Sequence, residues 1–328
     1  MRFLIVSLGL CPLGCSVVQS NESKLIRIIS WNVENLFDCE DDPLTNDDDF
    51  LPSAPRRWTE NRLSDKLAMI SKTLVAFPDN HLPDLVALQE VEGDSVLTQL
   101  TRRSPLRAIG YEYIMTHSPD RRGINVALLY RPEIFKVLSQ ESLRFDRRPT
   151  RDVLSVTGRL NTGDTLCILV CHLPSKLQGR AGDRFRWSIC DSIKRYVSAR
   201  LAQEPDLKIL VVGDMNSLPS DLMWTRGLGD GDSENRSMPL RNLTSFWKPS
   251  DGVKGSYKYN GQWQLLDQCW ASTNWDERWD LEWDVVRFSF LLTTDEWGQP
   301  QPRRTYNGYR YAAGVSDHLP TCLDCRLR

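Results

Sequence analysis

No apolar run in the 328 residues reaches the ~18 needed to span a membrane. A dominant charge sign is missing too: 41 Lys and Arg stand against 43 Asp and Glu, a net charge of −2. That excludes a strongly basic nucleic-acid coat, but not a hydrolase with a local basic cleft. Histidine is scarce, at four residues. There is no internal repeat, no low-complexity tract and no GxSxG motif. Ser316, Asp317 and His318 are contiguous, so they cannot relay a proton among themselves. Nine cysteines, less Cys11 and Cys15 near the start, leave seven, an odd count that argues against a full disulfide framework. Cys322-Leu-Asp-Cys325 is a lone pair without the partners of a zinc site, and reads as one core-facing and one near-surface cysteine. The acidic loop Asp41–Asp49 lacks the glycine and terminal glutamate of an EF-hand. The glycines of Gly227–Gly231 lack the lysine and the strand–helix setting of a phosphate loop.

The chain opens on a leader. Arg2 precedes an apolar stretch from Phe3 to Gly14, interrupted by Cys11 and Pro12, as in a secretory signal. Leu13-Gly14-Cys15-Ser16 resembles a bacterial lipoprotein cleavage site. The expectation is export, to the periplasm or as a lipoprotein anchored through Cys15, with plain secretion as the alternative because Pro12 stands where an aliphatic residue is preferred. Residues 1–23 are then leader and linker, and 24–328 a single domain.

That domain reads as α/β. Leu25–Trp31, Leu85–Gln89, Asn125–Tyr130, Leu154–Leu160, Leu166–Cys171 and Lys208–Val212 are short β-rich runs bounded by turn residues. Leu63, Leu67, Ile70, Leu74 and Phe77 recur at helical spacing, as do Phe185, Ile189, Ile193, Val197 and Leu201. Asn161–Asp164 is a tight turn between two antiparallel strands. The pattern predicts mixed sheets with helices packed outside. Cys167 and Cys171, four apart on one strand, share a face and pack there. Residues 219–262 read as long loops.

The polar residues cluster where strands end. Asn32 and Glu34 follow Ile28–Trp31, and Glu90 follows Leu85–Gln89. His172 ends Ile168–Cys171, and Asp214 and Asn216 follow Ile209–Gly213. Asp267 follows Leu265-Leu266, and Asp317 and His318 follow Gly314–Ser316. Taken singly, each is a turn residue, a cap or a satisfied core side chain. Six such endings in one chain, holding two of the four histidines, predict a convergent polar pocket. The chemistry these residue types imply is metal-assisted phosphoryl transfer. Hard Mg²⁺ or Mn²⁺ takes carboxylate oxygens and keeps several waters. Glu90 is the leading ligand candidate, with Glu34 or Asp317 beside it. His318 suits a base or a cationic donor to phosphate, with Asp267 fixing its tautomer. His81 and His117 fall in loops and receive no role.

The ordered stretches SWNVENLFD, LVALQEVE, GINVALLYRP, CHLPSK, VVGDMNS, LLDQ and GVSDHLP run from residue 28 to 320. Together they resemble the endonuclease/exonuclease/phosphatase superfamily, the deoxyribonuclease I-like and exonuclease III-like enzymes. The resemblance implies a four-layer αββα sandwich, two mixed β-sheets face to face with helices outside, and divalent-metal-dependent phosphoester hydrolysis. It implies Asn32, Glu34, Glu90 and Asp317 around the metal, and His172 donating to the scissile phosphate. It further implies Asp214 and Asn216 at the nucleophilic water or leaving oxygen, and Asp267 supporting His318, with the general base shared between Asp214 and His318.

Arg121 and Arg122, and Arg147, Arg148 and Arg151, are candidates for substrate phosphates, weighed evenly against solvated surface arginine. Of the crowded tryptophans Trp270, Trp275, Trp279, Trp283 and Trp297, most are expected in the core. The leading expectation is a nuclease on DNA or RNA, monomeric. The alternative is a phosphatase or phospholipase-type enzyme on inositol phosphates or sphingomyelin. A non-catalytic binding protein on the same fold is the reading from another class, and it would be marked by loss of Glu90, Asp214 or His318, all of which are present.

Overall fold

A computed structural model describes residues 25–145, 149–175, 179–221, 223, 240–275 and 277–328. The expected leader with Cys15, the pair Arg147-Arg148 and the glycine run 227–231 lie outside them. The first half of the chain forms β1 (Leu25–Leu36), α1 (Glu60–Val75), β2 (Leu85–Val91), α2 (Asp94–Thr98), β3 (Glu112–Met115), β4 (Asn125–Tyr130), β5 (Phe135–Leu143) and β6 (Val153–Leu160). Then come β7 (Thr165–His172), α3 (Gly179–Gln203), β8 (Lys208–Asp214), β9 (Leu240–Asn242), β10 (Tyr257–Tyr259), β11 (Gln262–Gln264) and β12 (Asp267–Ser272). The chain closes with β13 (Trp279–Val285), β14 (Leu292–Thr294), β15 (Pro300–Pro302), β16 (Tyr306–Asn307), β17 (Arg310–Tyr311) and β18 (Thr321–Leu327).

Two six-stranded sheets result, ordered β13-β18-β1-β2-β4-β3 and β5-β6-β7-β8-β12-β9. Each holds one parallel pair, β1 with β2 and β7 with β8, while its other neighbours are antiparallel. Parallel strands need a long crossover, and α1 and α3 supply them. The expected mixed-sheet sandwich is therefore the observed one.

Alternation along the strands sets the layers. Leu166, Ile168 and Val170 of β7 join the core that fills the sandwich. Cys167, Leu169 and Cys171 point the other way, onto Phe185, Ile189, Ile193 and Val197 of α3. The two cysteines thus pack on one face, and all seven described cysteines are free thiols. On the opposite side α1 buries Leu63, Leu67, Ile70 and Leu74; each such side chain contributes roughly 1.5–3 kcal/mol by burial. Trp270, Trp275, Trp279 and Trp283 are buried, whereas Trp297 is exposed.

The expected loop 219–262 is partly strand. Tyr257–Gln264 is a hairpin turned by Asn260 and Gly261, both at positive φ. That Asn-Gly pair is a hairpin signal in its own right.

Candidate active site

Register lines up one wall of the site. His172 pairs with Asp214 across β7–β8, and Asp214 pairs with Asp267 across β8–β12. Register partners on adjacent strands point to the same face, so three side chains well separated in sequence become neighbours. Gly213 makes this possible, because a Cβ there would meet the Cys171 carbonyl oxygen at 2.0 Å.

The opposite wall comes from bulges at the ends of β1 and β2. Pairing slips between Asn32 and Leu36, and again between Gln89 and Val91. The bulged residues Glu34, Asn35 and Glu90 have φ of 48°, 55° and 62°. A non-glycine residue in this region costs roughly 1–2 kcal/mol. Strain of this kind persists where a site is held by its surroundings. Ser316 closes the ring: its hydroxyl donates to the Asn32 carbonyl at 2.6 Å and accepts from the His318 backbone N–H at 3.0 Å.

Between the walls lies a cavity of about 760 Å³. Asn32, Glu34, Glu90, His172, Asp214, Asn216, Asp317 and His318 all line it. Asp267 sits behind His318, fully buried, with Oδ2 2.7 Å from Nδ1. Arg121 and Arg122 line the rim, with Arg151 beside them. Arg151 is held by Asp120 at 3.1 Å and the Leu173 carbonyl at 3.0 Å.

Charge is divided sharply. Burial alone would lower His318, but the charges of Asp267 and Asp214 outweigh it and hold the imidazole well above its usual range. His318 Nε2 lies 3.8 Å from Asp214 Oδ2. The Tyr257 ring lies against that of His318, tilted by 34° with centroids 4.7 Å apart. His172 goes the other way. Burial first, then the charges of Arg151, Arg122 and His318, push it well below the usual value. Its Nε2 lies 3.5 Å from Asp214 Oδ2 and 3.8 Å from Glu90 Oε1. Burial raises Asp214 to about 7 against the pull of His318. Asp214 is held by the Asn216 backbone N–H at 2.8 Å and the Asn32 amide at 3.1 Å. Burial, then the charge of Asp317, likewise raises Glu34 to about 7.

The donor set fits a hard divalent cation. Glu34 Oε2 accepts from Thr305 N–H at 2.7 Å, and Glu90 Oε2 from Asn35 N–H at 2.9 Å. The Oε1 atoms are left facing Arg304 and Arg122 at 3.9 and 3.7 Å, beyond hydrogen-bond range. Among the described residues no three acidic, His or Cys side chains form a tight ligand cluster. Mg²⁺ does not need one, since it binds through one or two carboxylates and keeps waters. Asp317 Oδ2 is committed to Arg304 at 2.7 Å, and Asn32 Oδ1 to the Glu34 N–H at 3.0 Å.

The model of the endonuclease/exonuclease/phosphatase family matches residues 27–326. The chain belongs to this family. It is accordingly a phosphoester hydrolase. No curated protein matches it in sequence. Among solved structures, D. rerio TDP2 complexed with single-strand DNA product is 17% identical with a TM-score of 0.58, covering 92% of this chain and 99% of that one. The human nocturnin catalytic domain with bound sulfate gives 17%, 0.56, 93% and 95%. A mannosyl-6-phosphatase of Bacteroides thetaiotaomicron gives 14%, 0.59, 92% and 99%. At these identities the likeness is one of fold.

Four contributors were not read from the sequence. Lys66 lies beneath Glu34, Thr305 and Arg304 hold the carboxylates, and Tyr257 covers His318. Lys66 had a signal: it stands on the apolar stripe of α1, three residues after Leu63.

Proposed function

We propose that the chain is a Mg²⁺- or Mn²⁺-dependent phosphodiesterase acting on nucleic acid. One observation carries the reading: a buried His318–Asp267 pair lies beside Asp214 on one wall of a cavity, and the other wall offers two glutamate oxygens that accept no hydrogen bond among the described residues. Glu34 and Glu90 would hold the ion, which would polarise a phosphoryl oxygen and offset its developing charge. Asp214, raised to about 7 by burial, takes the proton from the attacking water. Asn216 and Asn32 fix its orientation. The His318 cation and the neutral His172 Nε2–H stabilise charge on the non-bridging oxygens, a role for preorganised donors. Arg121 and Arg122 at the rim meet flanking phosphates. The DNA product held by D. rerio TDP2 supports this choice by fold analogy.

A second reading is a small phosphoester. A cavity of about 760 Å³ is in the range of small-ligand pockets, and one neighbour of the same fold is a sugar phosphatase. Export with lipid on Cys15 completes the proposal, and intact-mass measurement of the membrane fraction tests it.

The deciding experiment compares hydrolysis of plasmid DNA, single-stranded DNA, RNA and sugar phosphates in Mg²⁺ and in EDTA. A polymer substrate engaging two or three rim arginines predicts a log–log salt slope of about −2. Turnover of monoesters alone, insensitive to salt, overturns the nucleic-acid reading.

A further inference from the structure

Glu34 is a carboxylate on a backbone that disfavours it. Glu34 and Asn35 are consecutive left-handed residues, and neither is glycine. Among the described residues, three side chains bond the backbone of these two residues. Asn32 Oδ1 accepts the Glu34 N–H, and Glu90 Oε2 accepts the Asn35 N–H. The third is Lys66, whose Nζ donates to the Glu34 carbonyl and, at 2.9 Å, to Thr305 Oγ1. Thr305 in turn donates its backbone N–H to Glu34 Oε2. One ammonium therefore ties together the backbone and, through Thr305, the carboxylate of the same glutamate.

The side chain is costly where it stands. Lys66 is 1% exposed, on the face of α1 that carries Leu63, Leu67, Ile70 and Leu74. Its two hydrogen-bond partners are neutral oxygens rather than a paired carboxylate. Burying a charge in this way is unfavourable, and a leucine or methionine would satisfy the core. Packing alone gives no reason for a lysine here. Lys66 Nζ lies 5.9 Å from the Trp58 ring centroid, but both of its hydrogen bonds converge on Glu34, directly and through Thr305.

We propose that Lys66 is a positioning residue, which clamps the left-handed turn and aims Glu34 Oε1 into the cavity as a metal-binding oxygen. It touches no substrate. The inference rests on the metal-dependent reading above.

The test is Mn²⁺ affinity of the purified protein, from the electron paramagnetic resonance of the free ion, with Tm in EDTA recorded beside it. K66M weakens binding by about tenfold or more, the size expected for loss of a group that orients a ligand. N35G in the K66M background recovers part of the loss, because glycine adopts positive φ freely. A K66M protein that has lost thermal stability but binds Mn²⁺ as the wild type does makes Lys66 a core residue only, and overturns the proposal. If K66M does not fold, T305V and T305S decide. Valine weakens binding and serine restores it, and equal affinities overturn the proposal. A wild-type protein that binds no Mn²⁺ refutes the metal reading and this inference with it.

Discussion

In the proposed mechanism Asp214 and His318, 3.8 Å apart and both buried, divide the proton work. Burial pushes the carboxylate up to about 7, while the charges of Asp267 and Asp214 raise the imidazole well above its usual range. A base must be unprotonated to act, so the rate rises with pH through about 7. It falls again only where His318 loses its proton, above the usual histidine range. D214N removes the base and lowers kcat by roughly 10²–10⁴, and the acidic limb of the kcat profile disappears with it. A profile flat from acid to neutral pH in the wild type contradicts this division. These two residues were legible because a polar group at the end of an apolar run is conspicuous. Arg304 was not, since an arginine in a loop looks like solvated surface until packing is known, and the place of Lys66 on the apolar stripe of α1 marked it as buried without showing its partners.

At the scale of elements, the site depends on how closely β7 and β8 approach. Gly213 has φ of 136°, and a Cβ there would overlap the Cys171 carbonyl. G213A therefore costs about 3 kcal/mol or more through backbone displacement. Thermal unfolding should register this as a loss on the order of 10 °C, with activity falling further because Asp214 moves with its strand. Unchanged Tm would mean that the two strands separate freely. Six of the twelve strands in the two large sheets, and the two long helices α1 and α3, were readable from apolar runs and periodicity. The bulges at Glu34 and Glu90 were not, because nothing in Glu-Asn or Gln-Glu announces positive φ. The hairpin Tyr257–Gln264 was announced by Asn260-Gly261, yet its short strands were lost among glycines and serines.

Across the whole molecule, the two sheets close a core whose outer rim is tied by ions. Arg27 of β1 pairs with Asp79 at 2.8 Å and with Asp324 of β18 at 2.7 Å. The hydrogen bond from Arg27 lowers Asp79 to about 2. A depressed carboxylate contributes stability above its unfolded value, near 4, and loses it as pH falls through its folded value. Urea midpoints of wild type and D79N should therefore differ at pH 7 and converge toward pH 2; a constant difference would contradict the pairing.

The central claim, metal-dependent phosphoester hydrolysis at the Asp214–His318 cavity, is met most directly by one assay. Hydrolysis of bis(4-nitrophenyl) phosphate is followed with Mg²⁺ or Mn²⁺, after EDTA, after metal is restored, and in D214A and E90Q. The account predicts turnover that EDTA abolishes, that metal restores, and that both substitutions remove while the proteins stay folded. Turnover that survives EDTA, or that D214A retains, would contradict it.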